Sequence, residues 1–455
     1  MSAVLAVRLD SDGDVLLTGP AIRALAATAS RVDLLVSPAG RAAAELLPGV
    51  HEVLELAAPW TGFDPPPADA AVLSAAVAEL RARRYDRAVV FTSFHQSPLP
   101  MAVLAKLAGI GWVGADCVDY PGSLLQLRHT RRGTDGPGGA AGATRSGAAG
   151  RTVGADAGAT GPGRAGPGGE DRHEVDAAGD EHQIDPAGDR HEVDAALDLA
   201  LASGGRLPDG DDGRLQVLRP PAPRLPGLPR EPYVVVHPGA SVPARAPRPA
   251  DAARVVAALA AAGWAVVVTG GPAETDLTRS VTEAAGPAPA PAASTDGRAS
   301  TDRDDSTDRC ESTDRDGSER AAAAGQVVDL GGRTSFAELA DVLAGAACVV
   351  VANTGPAHLA AAVATPVVSW FAPVVPASRW APYGVPHVLL GDQGAPCRDS
   401  RARVCPVPGH PCLSGVPAVA VVEAVDRLTV GLGGGPTSGP TSHPGGRPAG
   451  LELVA

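Results

Sequence analysis

At 455 residues the chain is long enough for two or three domains, and its 44% hydrophobic content allows a sizeable core. Aromatics are only 3%, so that core must be built from Ala, Val and Leu. The net charge of −13 falls almost wholly within residues 170–194 and 294–320, which leaves no basic footprint for nucleic acid, and six Cys spread along the chain exclude a small disulfide scaffold. The start, MSAVLAVRLD, lacks the basic flank and the apolar length of a signal peptide. The longest nearly apolar window, 255–268, is too short to span a bilayer, so the expectation is a soluble cytoplasmic protein.

Taken in order, residues 4–9 read as a strand that ends in Asp10-Ser11-Asp12-Gly13-Asp14, and 15–29 as a helix interrupted near Pro20. A strand at 32–36, helices at 41–47 and 68–83, a strand at 87–92 and a helix at 98–107 follow. From about 130 to 188 periodicity is lost. A nine-residue repeat stands there: DRHEVDAAG from 171, DEHQIDPAG from 180 and DRHEVDAAL from 189. It lacks the paired glycines of calcium-binding nonapeptides, so duplication of a short coding unit explains it better than metal binding. The third copy runs into a helical pattern at 191–202.

Residues 220–232, PPAPRLPGLPREP, form a Pro-rich linker and mark the domain boundary. The second half restarts with a strand at 233–236, a helix at 249–262, and a strand, turn and helix start in WAVVVTGGPAE. A second insert, 286–325, repeats STD with a six-residue period and has no apolar face, so disorder is expected. Elements at 327–330, 335–346, 348–352, 357–363 and 367–371 and a last helix at 416–430 complete the pattern before a Gly, Pro and Ser-rich tail. Short apolar strands alternating with helices predict an α/β fold with parallel sheets covered on both faces.

Five constellations could carry chemistry. In CVVVANTGPAHLAAA a buried strand meets a helix start: Asn353 and Thr354 stop the strand, Gly355 opens the backbone, and His358 lies in the first turn. Free N–H groups and the positive end of the helix dipole suit a phosphate there, though an ordinary capped helix has the same pattern. Directly after the first strand, the acids of DSDGD allow several readings. An EF-hand fails, because Ala21 stands where its last Glu should be. A strand followed by D-x-D-G also resembles the nucleophile loop of haloacid-dehalogenase-type phosphatases, with Asp10 and Asp12 in play. That chemistry needs a later Lys, and Lys106 is the only lysine. Alternatively the Gly13-Asp14 turn places Asp14 at the mouth of the sheet as a general base, or Asp12 or Asp14 simply caps a helix. In HPGASVPAR, Arg245 could hold a phosphate bidentately or be a surface residue. In TGGPAE, Gly270 and Gly271 permit close approach and Glu274 could accept ribose hydroxyls, but the spacing is not that of an NAD fingerprint. Cys397, Cys405, His410 and Cys412 are spaced too widely for an opening zinc pair, so an ordinary loop or redox-sensitive cluster competes with metal binding.

Together, VRLDSDGDVLLTGPAIRAL, VVVHPGASVPAR, VVVTGGPAE, VVDLGGRTSFAELADVLAGAACVVVANTGPAHLAAA and CPVPGHPCL resemble glycosyltransferase family 9, the ADP-heptose:lipopolysaccharide heptosyltransferase family. The motifs stand in family order over about 1–129, 191–285 and 326–430. The resemblance implies a GT-B architecture, two Rossmann-like lobes with an interlobe cleft, plus the two low-complexity inserts. The implied layout is an acceptor lobe at 1–129, an insert at 130–190, the end of that lobe and the linker start at 191–222, and a nucleotide-sugar donor lobe at 223–430 with the insert 286–325. A flexible tail covers 431–455. It further implies an inverting transfer without cofactor or metal, from a nucleotide-diphosphate sugar such as ADP-heptose to a glycan or glycolipid acceptor. By motif, Asp14 matches the catalytic base and Gly13 and Asp12 lie on the acceptor side. Arg245, Glu274, Asn353, Thr354, Gly355, His358, Gly270 and Gly271 match the donor side. Two departures stand out: Ala246-Pro247-Arg248 replaces an aromatic-Pro pair after Arg245, and Asn353 replaces an Asp found in some members. A monomer in peripheral contact with the inner face of a membrane would fit this assignment.

Overall fold

Runs such as VVV in residues 234–236, 266–268 and 349–351 are β-branched without alternation, as strands covered on both faces require. They form the centre of a computed structural model that describes residues 2–430 except 63, 94–95, 131–189, 222–223 and 287–324. Most of both inserts, the first two repeat copies and the tail lie outside the described residues.

Strands β1 (Ala3–Arg8), β2 (Arg31–Val36), β3 (Glu52–Glu55), β4 (Arg87–Phe91), β5 (Trp112–Asp116) and β6 (Leu127–His129) make one sheet in the order β3-β2-β1-β4-β5-β6. Strands β7 (Tyr233–His237), β8 (Ala265–Val268), β9 (Val327–Asp329), β10 (Cys348–Ala352), β11 (Val367–Trp370) and β12 (His387–Leu390) make a second, ordered β12-β11-β10-β7-β8-β9. Every pairing is parallel. Both sheets therefore share the doubly wound nucleotide-binding order, which reverses between β1 and β4 in one and between β7 and β10 in the other. A crevice opens at the carboxyl ends of strands at such a reversal.

The expected helix over 15–29 is two helices, α1 (Asp12–Leu17) and α2 (Gly19–Ala26), because Pro20 lacks an N–H and is tolerated only in a first turn. Helices α3 (Arg41–Ala44), α4 (Ala70–Arg83), α5 (Leu99–Leu107) and α6 (Glu192–Ala202) complete the first lobe. In the second lobe stand α7 (Pro249–Ala261), α8 (Thr275–Ala285), α9 (Phe336–Ala344), α10 (Gly355–Ala362), α11 (Ala377–Trp380), α12 (Pro411–Ser414) and α13 (Ala418–Thr429). The sequence reading missed β3, β5, β6 and β12. These are short segments toward the sheet margins, and EVLE and LRH interrupt their apolar residues with charge.

One apolar cluster is continuous from β1 and α2 in the first lobe to β7, β10 and α10 in the second. The lobes thus share packed side chains as well as a linker. Among the described residues no helix is long and apolar enough to cross a membrane.

Candidate active site

Arg8 ends β1 and is 2% exposed. Its Nε lies 2.8 Å from Asp10 Oδ2, and its Nη2 donates to Asp14 Oδ1 at 3.1 Å and to Ser93 Oγ at 3.0 Å. Burial opposes the charge on Arg8, but Asp10, Asp14 and Glu192 outweigh it and hold the guanidinium pKa above its ordinary value. Asp10 also accepts from Gln96 Nε2 at 2.6 Å; burial is the main reason its pKa is raised. Asp12 accepts from the Ala43 N–H at 2.9 Å and is pushed up to about 6, chiefly by burial.

Asp14 lies in the first turn of α1, where Ser11 Oγ donates to its Oδ2 at 3.0 Å. Burial pushes its pKa up, but Arg8, Ser11, His358 and Arg245 overcome that and hold it below the ordinary carboxylate value. Two of those groups belong to the second lobe. Gly13 explains how they come so near: a Cβ on Gly13 would stand 3.1 Å from Gly355 Cα and 3.3 Å from His358 Cδ2. The Asp14 turn and the start of α10 therefore pack backbone to backbone across the cleft.

Facing Asp14 are several polar atoms without a hydrogen-bond partner. Thr354 Oγ1, His358 Nδ1 and Arg245 Nε are all buried in that state. Thr354 is the N-cap of α10, yet its hydroxyl makes no capping bond. Burial, with His191 next, pushes the His358 pKa down to about 4, so the imidazole is neutral at pH 7. Arg245 ends a short 3-10 turn, Pro243–Arg245, and burial depresses its pKa while Asp14 partly restores it. Among the described residues no carboxylate forms a salt bridge with Arg245. A half-buried cation, a free hydroxyl and the N-terminus of an eight-residue helix converge, which is an arrangement that favours an anion.

The remaining predicted residues are placed as follows. Glu274 Oε2 accepts from the Gly271 N–H at 2.8 Å and lies 3.6 Å from His237 Nε2. A Cβ on Gly239 would strike the Glu274 carboxylate, and one on Gly270 would crowd Thr278, so these glycines let the acid lie along the carboxyl end of β7 and β8. Asn353 is turned inward. Its Oδ1 accepts from the Ala372 N–H and its Nδ2 donates to the Ala372 carbonyl, both at 3.2 Å, which fastens the end of β10 to the end of β11. Lys106 donates to the Gly111 carbonyl at 2.6 Å and to Gln126 at 2.5 Å, and Asp10 is paired with Arg8, so the phosphatase reading finds no assembled Lys and acid set.

Cys397 and Cys412 are buried and Cys405 is half-buried, with Cys397 beside the other two thiols. His410 Nε2 is 3.1 Å from the Ala244 carbonyl, and the Ala244 N–H donates to the Arg403 carbonyl at 2.8 Å. The cysteine-bearing loop thus clasps the residue before Arg245 from both sides. Among the described residues, the group spaced to hold a metal ion is instead Asp33, His51 and Glu52, and Arg83 is bonded to both oxygens of Glu52.

Sequence reasoning missed Arg8, Ser93, Gln96, His191 and Glu192. Arg8 could have been found as a charged residue closing an apolar strand beside three acids. The others come from distant segments and carry no local signal.

Residues 310–409 match the family model for glycosyltransferase family 9 (heptosyltransferase), which bears out the resemblance carried by the motifs and includes Thr354, Gly355 and His358. No curated protein sequence matches the chain. Among solved structures, the glycosyl transferase family 9 protein from Veillonella parvula DSM 2008 is similar over 94% of this chain and 97% of its own, at 14% identity and a TM-score of 0.58. E. coli ADP-heptose lps heptosyltransferase II is similar over 95% of this chain and 100% of its own, at 16% identity and a TM-score of 0.55. E. coli heptosyltransferase WaaC with ADP-2-deoxy-2-fluoro heptose is similar over 93% and 99%, at 18% identity and a TM-score of 0.51. The shared fold is GT-B, as the two sheets already suggest.

Proposed function

We propose that the chain is an inverting glycosyltransferase of the family 9 kind, which moves a sugar from a nucleoside-diphosphate donor to a hydroxyl of a glycan or glycolipid acceptor. The observation that supports this best is the meeting of Gly13 with Gly355, because it sets a half-buried carboxylate opposite a partly enclosed anion seat. Asp14 takes the proton from the acceptor hydroxyl as that oxygen attacks the anomeric carbon. The departing diphosphate gains negative charge, and the α10 N-terminus, Thr354 Oγ1 and Arg245 stabilise it in place. Neutral His358 adds a hydrogen-bonding group without repelling Arg245. Glu274 accepts the donor ribose hydroxyls with Gly270 and Gly271 beneath it. ADP-heptose is the first donor to try, since similar structures carry that class of ligand.

Arg8 tunes the base. It keeps Asp14 ionised and fixes its direction through Nη2, while Asp10 shares the same guanidinium. The linker 220–232 allows the lobes to open for exchange of donor and product.

The test is a panel of nucleotide sugars scored by thermal shift, followed by transfer assays with the stabilising donor. Asp14→Asn should keep donor binding and lower kcat at least about 100-fold. An Asp14→Asn variant that keeps most of its rate would remove Asp14 as the base. Binding of a donor without transfer to any acceptor would point to a sugar-nucleotide-binding protein.

A further inference from the structure

The first turn of α6 belongs to the first lobe, since α6 packs on α2, yet its side chains reach the second lobe one after another. His191 Nε2 donates to the Ala381 carbonyl at 2.9 Å, and its ring stacks at a tilt on Tyr383, 4.7 Å between centroids. Its Nδ1 accepts from the Val193 N–H at 3.2 Å, which fixes the neutral Nε2–H tautomer. Glu192 is 2% exposed and lies 3.9 Å from Arg379 Nη1. Val193 joins a small apolar cluster with Leu17, Ala361 and Trp380. Asp194 Oδ1 accepts from Tyr383 O–H at 2.6 Å. Four consecutive residues thus grip Ala361 and the stretch 379–383.

The same turn faces the catalytic cluster. Glu192 acts electrostatically on both Arg8 and Asp10, and His191 on His358. Arg379 of the second lobe stands beside this buried carboxylate of the first, which would be strongly disfavoured if isolated.

We propose that residues 191–194 form the latch that sets how the two lobes face each other. The latch does not rest on the transferase reading above. Glu192 faces Arg379 of α11, and Tyr383 is held by both His191 and Asp194.

The test uses the full-length chain with Tyr383→Phe, which removes one O–H from the latch. Hydrogen exchange needs no activity and reads the latch directly. Amides of 190–196 and 379–385 should both exchange at least about tenfold faster in Tyr383→Phe, while those of β1 and β10 stay protected. Unchanged exchange at 379–385 overturns the latch even if no donor is ever found, whereas a loosened latch without any transfer counts against the transferase reading alone.

Discussion

Gly13 and Gly355 touch across the cleft with no side chain between them. Within a helix, Ala is the better former than Gly by up to about 1 kcal/mol. Here a methyl at position 13 would press on the Gly355 backbone, which belongs to the other lobe. Gly13→Ala should therefore leave the thermal midpoint within about 3 °C of the parent and lower kcat at least about tenfold, because the lobes must part slightly. Full activity in Gly13→Ala would show that the contact can be relaxed during turnover.

Arg245 should matter more for binding than for folding. It is half-buried, its Nε is enclosed without a hydrogen-bond partner and desolvation disfavours its charge, a penalty that an anion would relieve. Arg245→Gln should weaken nucleoside-diphosphate binding about tenfold or more and leave the apo protein at least as stable. Calorimetric titration and a denaturant curve on the same preparation check both halves.

His358 gives the fold an acid-sensitive point. Its pKa falls from 6.5 to about 4, chiefly by burial, so the folded chain prefers the neutral ring while the unfolded chain takes up a proton near 6.5. Its contribution to stability is complete above pH 6.5 and is lost as the pH falls toward about 4. Asp12, raised to about 6 by burial, works the other way, because the folded chain holds that proton more tightly and is favoured as the pH falls below about 6. In His358→Gln the acid loss of melting temperature between those limits should shrink. An unchanged slope would mean that the ring gains a charge in the folded state without cost.

Asn353 offers a test of a departure from the family pattern. Its amide both donates to and accepts from Ala372. An ionised Asp would face the Ala372 carbonyl with a lone pair, so Asn353→Asp should cost about 1–3 kcal/mol at pH 7. The deficit should diminish in acid, where the protonated carboxyl can donate again. Urea denaturation at pH 7 and pH 5 measures it.

The sequence made the sheets legible wherever strands were long Val runs, and it located the Thr354 turn because a strand, a small polar pair and Pro356 leave few alternatives. Asp14 stood out for the same local reason. What it could not show was mutual placement. Arg8, Ser93, Gln96 and Glu192 come from segments up to 184 positions apart and meet only through the strand order. Asn353 looked like a ligand-side residue because its place at the strand end says nothing about which way the amide turns. The break at Thr18 was visible through Pro20, but the separate helices were not, since both halves have the same apolar spacing.

Both ends of the stretch 131–189 are tied to one side chain. His129 Nε2 lies 3.2 Å from Asp198 Oδ2, and Arg190 Nη1 donates to the same oxygen at 2.7 Å. His129 is itself bonded to Asp116 at the end of β5. The exit from β6 and the entry to α6 are thus moored at a fixed separation, whatever the chain does in between. Of the three copies of the nine-residue unit, the last therefore supplies, through Arg190, a side chain that fixes where the chain re-enters the first lobe.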